Sequence, residues 1–286
     1  MCRLFALHAG ERDVAVEFWL LDAPTSIAQQ SERNADGYGM AALTARRGMM
    51  LIRNPVQASE DPAYRQLARR LDAAEMVVHL RYASTGNVSL VNTHPFSQDG
   101  RLFAHNGVVG DLDRIEARLG PHRAMVMGDT DSERLFAVIT LGIREAGGDV
   151  RTGIAAAVRE VVAEYELYSI NFVLAEIGHI WAFRYPEHNP LHLHRRRQGG
   201  PSGAAPLDES DAAGTLRLRS EDGVVTPLVV IASERISDEP GWEEIHPGEL
   251  VHVGPDLEVD RETIISGPPA HPMILSAHEQ KTQSYE

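Results

Sequence analysis

The stretch Met1-Cys2-Arg3-Leu4-Phe5-Ala6-Leu7-His8 decides how this chain is interpreted. Its apolar residues predict a short strand that begins almost at the first residue. Cys2 is the single cysteine, so neither an intramolecular disulfide nor a zinc site of several thiolates can form. Cys2 is distinguished by its position directly after the initiator methionine.

The composition limits the classes of protein to which this chain can belong. The 286 residues include 41 acidic and 27 basic side chains, a formal net charge of −14, and 43% hydrophobic residues. This apolar fraction is enough for a sizeable core. The acidic balance argues against nucleic acid and anionic membranes as partners, because both need clustered Lys and Arg. No stretch approaches the ~20 apolar residues of a membrane span, and no signal peptide is recognisable, so we expect a cytoplasmic protein.

Hydrophobic periodicity and turn residues predict strands first, then helices, then strands again. Strands are predicted at residues 1–8, 40–43, 49–52, 75–82, 101–108, 169–175, 179–184, 226–233 and 249–253, and helices at 62–73, 112–119, 131–146 and 150–165. This order indicates a layered α+β domain. Residues 186–223 are predicted to form a long loop with a possible hairpin around 216–218, and the tail from about 266 to be loosely attached.

Two polar groups in the predicted loop could suggest binding sites. The basic run 195–197 is interpreted as a solvated loop and not as an anion-binding patch. His188, His192 and His194 could suggest a metal site, but no acidic or cysteine partner completes the set nearby. We therefore predict no metal site.

The position of Cys2 suggests a nucleophile that carries its own base. Initiator methionine is usually removed when the next residue is small, which would leave Cys2 with a free α-amine. The reference pKa of that amine is about 7.7–8.0 and that of a thiol about 8.5. A neutral amine could therefore accept the thiol proton, directly or through water. Taken alone, a cysteine at this position could equally have no function.

Further segments of the chain support the interpretation of Cys2 as a nucleophile. The start of the chain resembles the N-terminus of class II glutamine amidotransferases, which are N-terminal nucleophile hydrolases. Five later segments resemble motifs of that family in the same order: residues 33–39 (Arg-Asn-Ala-Asp-Gly-Tyr-Gly), 79–86 (His-Leu-Arg-Tyr-Ala-Ser-Thr-Gly), 92–96 (Asn-Thr-His-Pro-Phe), 103–107 (Phe-Ala-His-Asn-Gly) and 128–133 (Gly-Asp-Thr-Asp-Ser-Glu). Each motif is weak alone, and their order makes the resemblance specific.

The resemblance implies a four-layer αββα sandwich of the N-terminal nucleophile hydrolase type. It implies an amidotransferase domain over residues 2–255, followed by a loosely ordered tail over 256–286, and chemistry without a cofactor. The chain looks most like the short stand-alone branch that includes the γ-glutamyl hydrolase of ergothioneine biosynthesis. Tyr82 stands where the family commonly has Trp, and Thr85 where it often has His, so the specific substrate is not carried over.

The resemblance also assigns site residues. Asn106 and Gly107 match the pair that stabilises the tetrahedral oxyanion of amide hydrolysis, a role for which amide donors are suited. Considered alone, Asn-Gly is also a common turn.

A γ-glutamyl substrate carries an α-carboxylate and an α-ammonium. The resemblance assigns the carboxylate to Arg81, whose guanidinium can bind it with two hydrogen bonds, and the ammonium to Asp131. Ser84 and the backbone near Tyr82 would add contacts. The alternatives are a surface charge at a strand end for Arg81 and a helix N-cap for Asp131.

The predicted reaction is hydrolysis of the γ-amide of glutamine or of a γ-glutamyl compound through a thioester on Cys2. A first alternative is a glutaminase subunit that supplies ammonia to a separate synthase partner. A second is a non-catalytic protein that binds small γ-glutamyl molecules. The sequence does not indicate an oligomeric state.

Overall fold

The computed structural model describes residues 2–44, 48–83, 86–196, 207–210, 217–220 and 226–275, with the backbone alone for 207–210 and 217–220. Within these residues the chain forms strands and α-helices, numbered here in chain order. The strands are β1 (Arg3–His8), β2 (Val14–Ala15), β3 (Tyr38–Thr44), β4 (Gly48–Asn54), β5 (Asp72–Ala73), β6 (Glu75–Leu80), β7 (Phe96–Gln98), β8 (Arg101–Val109), β9 (Leu167–Glu176), β10 (His179–Arg184), β11 (His192–Arg196), β12 (Leu207–Ser210), β13 (Arg217–Ser220), β14 (Leu228–Ala232), β15 (Trp242–Glu244), β16 (Glu249–Val253) and β17 (Val259–Thr263). The α-helices are α1 (Ile27–Gln30), α2 (Pro62–Ala68), α3 (Leu112–Leu119), α4 (Asp131–Glu145) and α5 (Val150–Glu164).

Two antiparallel sheets form the centre of the fold. The first has the strand order β15-β11-β14-β1-β6-β3-β4, and the second the order β17-β16-β10-β9-β8-β7. The N-terminal strand β1 is therefore an inner strand, paired with β14 on one side and with β6 on the other. β12 and β13 pair antiparallel as a separate two-stranded sheet, so residues 217–218 of the predicted hairpin lie on a strand. Among the described helices, none has the length and apolarity needed to cross a bilayer.

Side chains that alternate along each strand build the layers, because successive residues point to opposite faces of a sheet. Leu4 and Ala6 of β1 pack between the two sheets against Ala104 of β8 and Val173 of β9. The neighbouring β1 residue Phe5 faces the other way. Every residue of β1 is buried, which is expected for a strand covered on both faces.

Helices cover the outer face of each sheet. Phe5 belongs to a cluster with Trp19 of the helical turn Phe18–Asp22 and with Tyr64 of α2. On the second sheet, Phe103 of β8 stacks on Phe136 of α4 with ring centroids 4.8 Å apart. The order is therefore helices, sheet, sheet, helices, and the αββα sandwich predicted from the sequence is confirmed.

The structure corrects the long loop predicted for residues 186–223. Residues His192–Arg196 form β11, an interior strand of the first sheet. Arg195 is exposed, as expected of a solvated residue. The Arg196 side chain is instead buried, with a guanidinium nitrogen 2.8 Å from a carboxylate oxygen of Glu239. That partner lies 43 residues further along the chain, so local sequence could not reveal it.

His194 binds the same carboxylate, its Nε2 lying 3.2 Å from Glu239, and it stacks on Trp242. The acidic partner of His194 therefore comes from a loop distant in the sequence, although no such partner stands near it along the chain. The histidine serves this buried contact between strand and loop. Arg197 lies outside the described residues.

The predicted tail also differs over the part that the structure describes. Strand β17 pairs with β16 and so extends the second sheet beyond residue 255. The backbone N–H of Leu167 donates to His271 at 3.1 Å, that of Met273 donates to Leu167 at 2.9 Å, and Leu275 is buried. Residues 256–275 are therefore packed against the fold, and residues 276–286 lie outside the described residues.

Candidate active site

Cys2 directly precedes β1, at the end of the space between the two sheets. It continues the row of Leu4 and Ala6, which face the second sheet. Its Sγ accepts the backbone N–H of Tyr82 at 3.3 Å, and the thiol donates to the carbonyl of Tyr82 at 3.4 Å. Burial raises the pKa of the thiol, while the hydrogen bond with Tyr82 and the positive charges of Arg81 and Arg3 act in the opposite direction.

A tight turn holds the Tyr82 segment in place. The N–H of Asp36 donates to the carbonyl of Arg81 at 3.2 Å, and the N–H of Arg81 donates to the carbonyl of Gly37 at 2.8 Å. The carboxylate of Asp36 also accepts the N–H of Ala83 at 2.8 Å. The residues on both sides of Tyr82 are therefore fixed by residues 36–37, which in turn determine where the Tyr82 backbone meets the thiol.

Arg81 is 3% exposed, so the alternative of a surface charge is wrong. It continues the row of Val77 and His79 toward the same end of the inter-sheet space. Its Nη1 donates to the carbonyl of Asn87 at 2.9 Å and its Nη2 to that of Gly86 at 3.2 Å. Burial lowers the pKa of the guanidinium, opposed by the neighbouring charges of Cys2, Asp36 and Asp131. The charges of two carboxylates and of the thiol thus favour the protonated form of Arg81.

Asn106 and Gly107 lie within β8, paired with Asn171 and Ile170 of β9, so the alternative of an ordinary turn is wrong. Asn106 continues the row of Leu102 and Ala104, which faces the first sheet. It is 1% exposed, and neither atom of its amide has a hydrogen-bond partner among the described residues. A buried amide without partners is costly, and it is available to a bound molecule.

Only glycine fits at position 107. A Cβ at Gly107 would lie 1.9 Å from the carbonyl oxygen of Ser169 and 2.6 Å from Nε2 of His105. The close approach of β8 to β9 therefore depends on the missing side chain.

Asp131 is the first residue of α4, and the helix is capped by its neighbour. The Thr130 hydroxyl accepts the N–H of Glu133 at 3.2 Å, so Thr130 is the N-cap. The Asp131 carboxylate accepts the N–H of Val109 at 3.0 Å, which connects α4 to the end of the strand that carries Asn106. The alternative that Asp131 is simply an N-cap is therefore wrong.

Three buried histidines lie close to the site: His79 and His94 stack on each other, and His105 faces α4. His79 and His94 stack with ring centroids 4.0 Å apart, and both are buried. Burial lowers the pKa of His79 to about 3 and that of His94 well below its usual value. His105 donates to or accepts from the Ser132 hydroxyl at 2.9 Å, and burial lowers its pKa as well. These rings are uncharged at neutral pH.

The structure thus brings five of the predicted residues, Cys2, Arg81, Tyr82, Asn106 and Asp131, to one end of the sandwich, with Gly107 beside them. Ser84 lies outside the described residues. Asp36 and Asn92, which hold neighbouring segments of the site in place, were not predicted from the sequence, although both stand in motifs that resemble the family. A signal was present in each case, because each is a polar residue inside a segment rich in turn-forming residues.

Comparison with known proteins agrees with this geometry. The family model for class-II glutamine amidotransferases matches residues 1–263. The "Putative glutamine amidotransferase YafJ" of Escherichia coli is 24% identical, over 87% of this chain and 96% of that protein. A glutamine–fructose-6-phosphate aminotransferase of Chlamydia pneumoniae is also 24% identical, over 51% of this chain and 23% of that protein.

A solved structure shows the same fold. The glutamine phosphoribosylpyrophosphate amidotransferase from B. subtilis superposes with a TM-score of 0.64 at 15% identity, over 93% of this chain and 50% of that one. Because the family model covers nearly the whole described chain, the assignment does not depend on this distant likeness. The chain belongs to the class-II glutamine amidotransferases, enzymes that hydrolyse the amide C–N bond of glutamine.

Proposed function

We propose that this protein hydrolyses the γ-amide of glutamine or of a γ-glutamyl compound through a γ-glutamyl thioester on Cys2. The observation that supports this most directly is the thiol of Cys2 at the end of the inter-sheet space that also holds the Asn106 amide, which has no hydrogen-bond partner among the described residues. The one thiol of the chain and a preorganised amide donor would then contact the same substrate carbonyl, the thiol its carbon and the amide its oxygen. No cofactor is required.

The reaction proceeds in two balanced steps. After removal of Met1, the Cys2 amine takes the thiol proton, and Sγ attacks the γ-carbonyl carbon. Asn106 and the N–H of Gly107 stabilise the oxyanion. The S–C bond forms, the C–N bond breaks, and the amine of Cys2 passes the proton to the leaving ammonia or amine. Water then attacks the thioester with the same amine as base, which releases glutamate and restores the thiol.

Charged groups orient the substrate in this proposal. Arg81 binds the α-carboxylate and Asp131 the α-ammonium, and Ser84 and the backbone near Tyr82 add contacts to the substrate. The carbonyls of Asn87 and Gly86 accept Nη1 and Nη2 of Arg81 and so orient the guanidinium. Because the cation is buried, its attraction for a carboxylate is stronger than it would be in water.

The test is hydrolysis of a panel of γ-glutamyl amides by wild type and Cys2→Ala. Alanine is also small, so Met1 removal is matched, and intact mass verifies it. We expect Cys2→Ala to fold normally and to lose about 10³-fold or more in rate. Undiminished hydrolysis by Cys2→Ala would overturn the mechanism. A wild type that binds glutamine without turning it over would instead support the non-catalytic alternative.

The role of the α-amine needs its own experiment. A variant in which one residue before Cys2 cannot be removed keeps the thiol but has no free α-amine on Cys2. We expect it to be about 10²–10⁴-fold slower than the same chain cleaved to begin at Cys2, which is the usual contribution of a general base. Equal rates would show that another group takes the thiol proton.

An exposed apolar surface favours a second function, the supply of ammonia to a synthase partner. Val88, Leu90 and Val91 are about half exposed on the segment after Arg81, and Met127 is 78% exposed. Gly128 packs against the backbone of Val91, so the two segments are neighbours beside the site. Exposed apolar patches of this kind often mark protein interfaces.

The Chlamydia pneumoniae relative is an aminotransferase of which this chain matches only part. In the partner alternative, a synthase copurifies and raises glutaminase activity, and Met127→Ser abolishes that increase while the activity without partner stays unchanged. Full turnover by the isolated chain, with no increase from cell extract, favours the stand-alone hydrolase.

A further inference from the structure

We propose that Asn92 is a positioning residue that sets the spacing between Arg81 and Asp131, and thereby makes the site select molecules that carry a carboxylate and an ammonium on the same carbon. This inference rests on the proposed function, in which those two side chains bind the α-carboxylate and the α-ammonium. It adds a residue that contacts neither charge of the substrate.

One end of the Asn92 amide is connected to Arg81. The residue is fully buried, at 0% exposure. Its Nδ2 donates to the carbonyl of Asn87 at 3.1 Å. The same carbonyl accepts Nη1 of Arg81 at 2.9 Å. Asn92 and Arg81 therefore share one acceptor, and the position of that acceptor fixes the guanidinium.

The other end of the amide is connected to the start of α4. Oδ1 of Asn92 accepts the N–H of Asp129 at 2.9 Å, two residues before Asp131. This turn is itself rigid, because the Glu133 carboxylate accepts the N–H groups of Met127 at 3.1 Å and Gly128 at 2.6 Å. A shift of Oδ1 would therefore be transmitted to the first residue of the helix.

The amide fits closely between two glycines. A Cβ at Gly128 would lie 2.3 Å from Oδ1 of Asn92, and one at Gly86, where φ is +67°, would lie 3.0 Å from Nδ2. Both backbones thus approach the amide directly, with no side chain between them. Because each polar atom of the buried amide has one partner among the described residues, and the two partners belong to different segments, Asn92 acts as a spacer of fixed length between the two charges.

The substitution that tests this is Asn92→Asp. It keeps an oxygen for the N–H of Asp129 but loses the donor to Asn87. Asn92→Ser, which adds no buried charge, is the second variant should the aspartate unfold the protein. Ser89→Ala is the matched control, since the Ser89 hydroxyl also donates to the Asn87 carbonyl, at 3.4 Å, from an exposed position.

Affinity is measured by calorimetry in the Cys2→Ala protein, so that no ligand is consumed. The ligands are L-glutamine, glutaramate, which lacks the ammonium, and 4-aminobutanamide, which lacks the carboxylate. Before substitution at 92 we expect L-glutamine to bind at least about 30-fold more tightly than either analogue, about the factor that one charge-assisted hydrogen bond supplies. Asn92→Asp or Asn92→Ser should reduce this advantage to about 3-fold or less, with the affinity for each analogue changed by no more than about 3-fold. Ser89→Ala should retain the full advantage.

Two results would overturn the inference. One is an equal loss of affinity for all three ligands, which is what a general loss of packing produces. The other is an unchanged advantage for L-glutamine in a folded Asn92 variant. Failure of the proposed function is distinguishable, because L-glutamine would then bind no better than the analogues even with Asn92 in place.

Discussion

The thiol of Cys2 lies 3.3 Å from the backbone nitrogen of Tyr82 and 3.4 Å from its carbonyl oxygen. Two residues 80 positions apart therefore meet at the end of the inter-sheet space. The contact places the thiol beside Arg81, whose positive charge favours the thiolate, while burial disfavours it. The reactivity of the thiol depends on the balance of these two effects.

This balance predicts how alkylation of Cys2 depends on pH. Because burial raises the pKa of the thiol, the rate of reaction with iodoacetamide should reach half its maximum above the pH of about 8.5 that is usual for a free thiol. Arg81→Met removes an opposing charge and should move that midpoint higher. Rates are measured by intact mass from pH 6 to 10, with exposed Arg195→Met as control. A midpoint lowered by Arg81→Met would contradict this view of the site.

Asn106→Ala separates activity from stability. The Asn106 amide has no partner among the described residues, so its removal eliminates a buried polar group without breaking a hydrogen bond. We expect kcat to fall about 10²–10³-fold, with little change in KM. The midpoint of thermal unfolding should stay the same or rise. A clear loss of stability would indicate that the amide supports the fold.

Gly107→Ala should damage the fold itself. The added Cβ would lie 1.9 Å from the backbone oxygen of Ser169, so β8 and β9 must separate. We expect a cost of about 2–4 kcal/mol in the free energy of unfolding, measured with urea. Gly100→Ala is the control, because nothing lies within 4 Å of its Cβ position and only its positive φ opposes alanine, at about 1 kcal/mol. Equal costs would contradict the close approach of the strands.

The buried carboxyl group of Glu75 should make the free energy of unfolding depend on pH. Burial raises its pKa to about 7, although its Oε1 accepts the N–H of Gly178 at 2.7 Å. Since the folded-state pKa lies above the unfolded value, the native state binds more protons in this window. Stability is therefore lost as pH rises from about 4.5 to 7.

Glu75→Gln keeps the oxygen that accepts the Gly178 N–H and removes the charge. The variant should be about 1–2 kcal/mol more stable than wild type at pH 8, a value discounted for partial access to water. The two proteins should be equal near pH 4. Urea unfolding at both pH values measures the difference, with exposed Glu11→Gln as control. A variant less stable at pH 8 would mean that the carboxylate is stabilised by its surroundings.

Elements with local end signals were predicted closely. Helix α3 covers Leu112–Leu119 as expected and ends at Gly120, whose φ is +51°. Helix α4 begins at Asp131 because Thr130 caps it. Caps and glycine conformations act within a few residues, so a single segment contains the information needed to place these helices.

Elements whose position depends on partners distant in the sequence were not predicted. Arg196 belongs to a buried strand because Glu239 meets its charge and Trp19 lies under its guanidinium, with the ring centroid 5.8 Å away. Without those partners, a run of three arginines is a solvated surface. The same holds for residues 256–275, whose strand β17 has no fully buried residue and is kept in place by its pairing with β16.

The possible chemistry is visible in the sequence: one thiol at residue 2, an Asn-Gly pair, an arginine and an aspartate in family order. Local periodicity also predicts the order of strands and helices, while the four layers were implied by the resemblance to the family. Tertiary structure settled instead that Arg81 is buried between the sheets, that the Asp131 carboxylate accepts the N–H of Val109, and that Oδ1 of Asn92 accepts the N–H of Asp129. Each of these depends on segments that lie far apart in the sequence, and only folding brings such segments into contact.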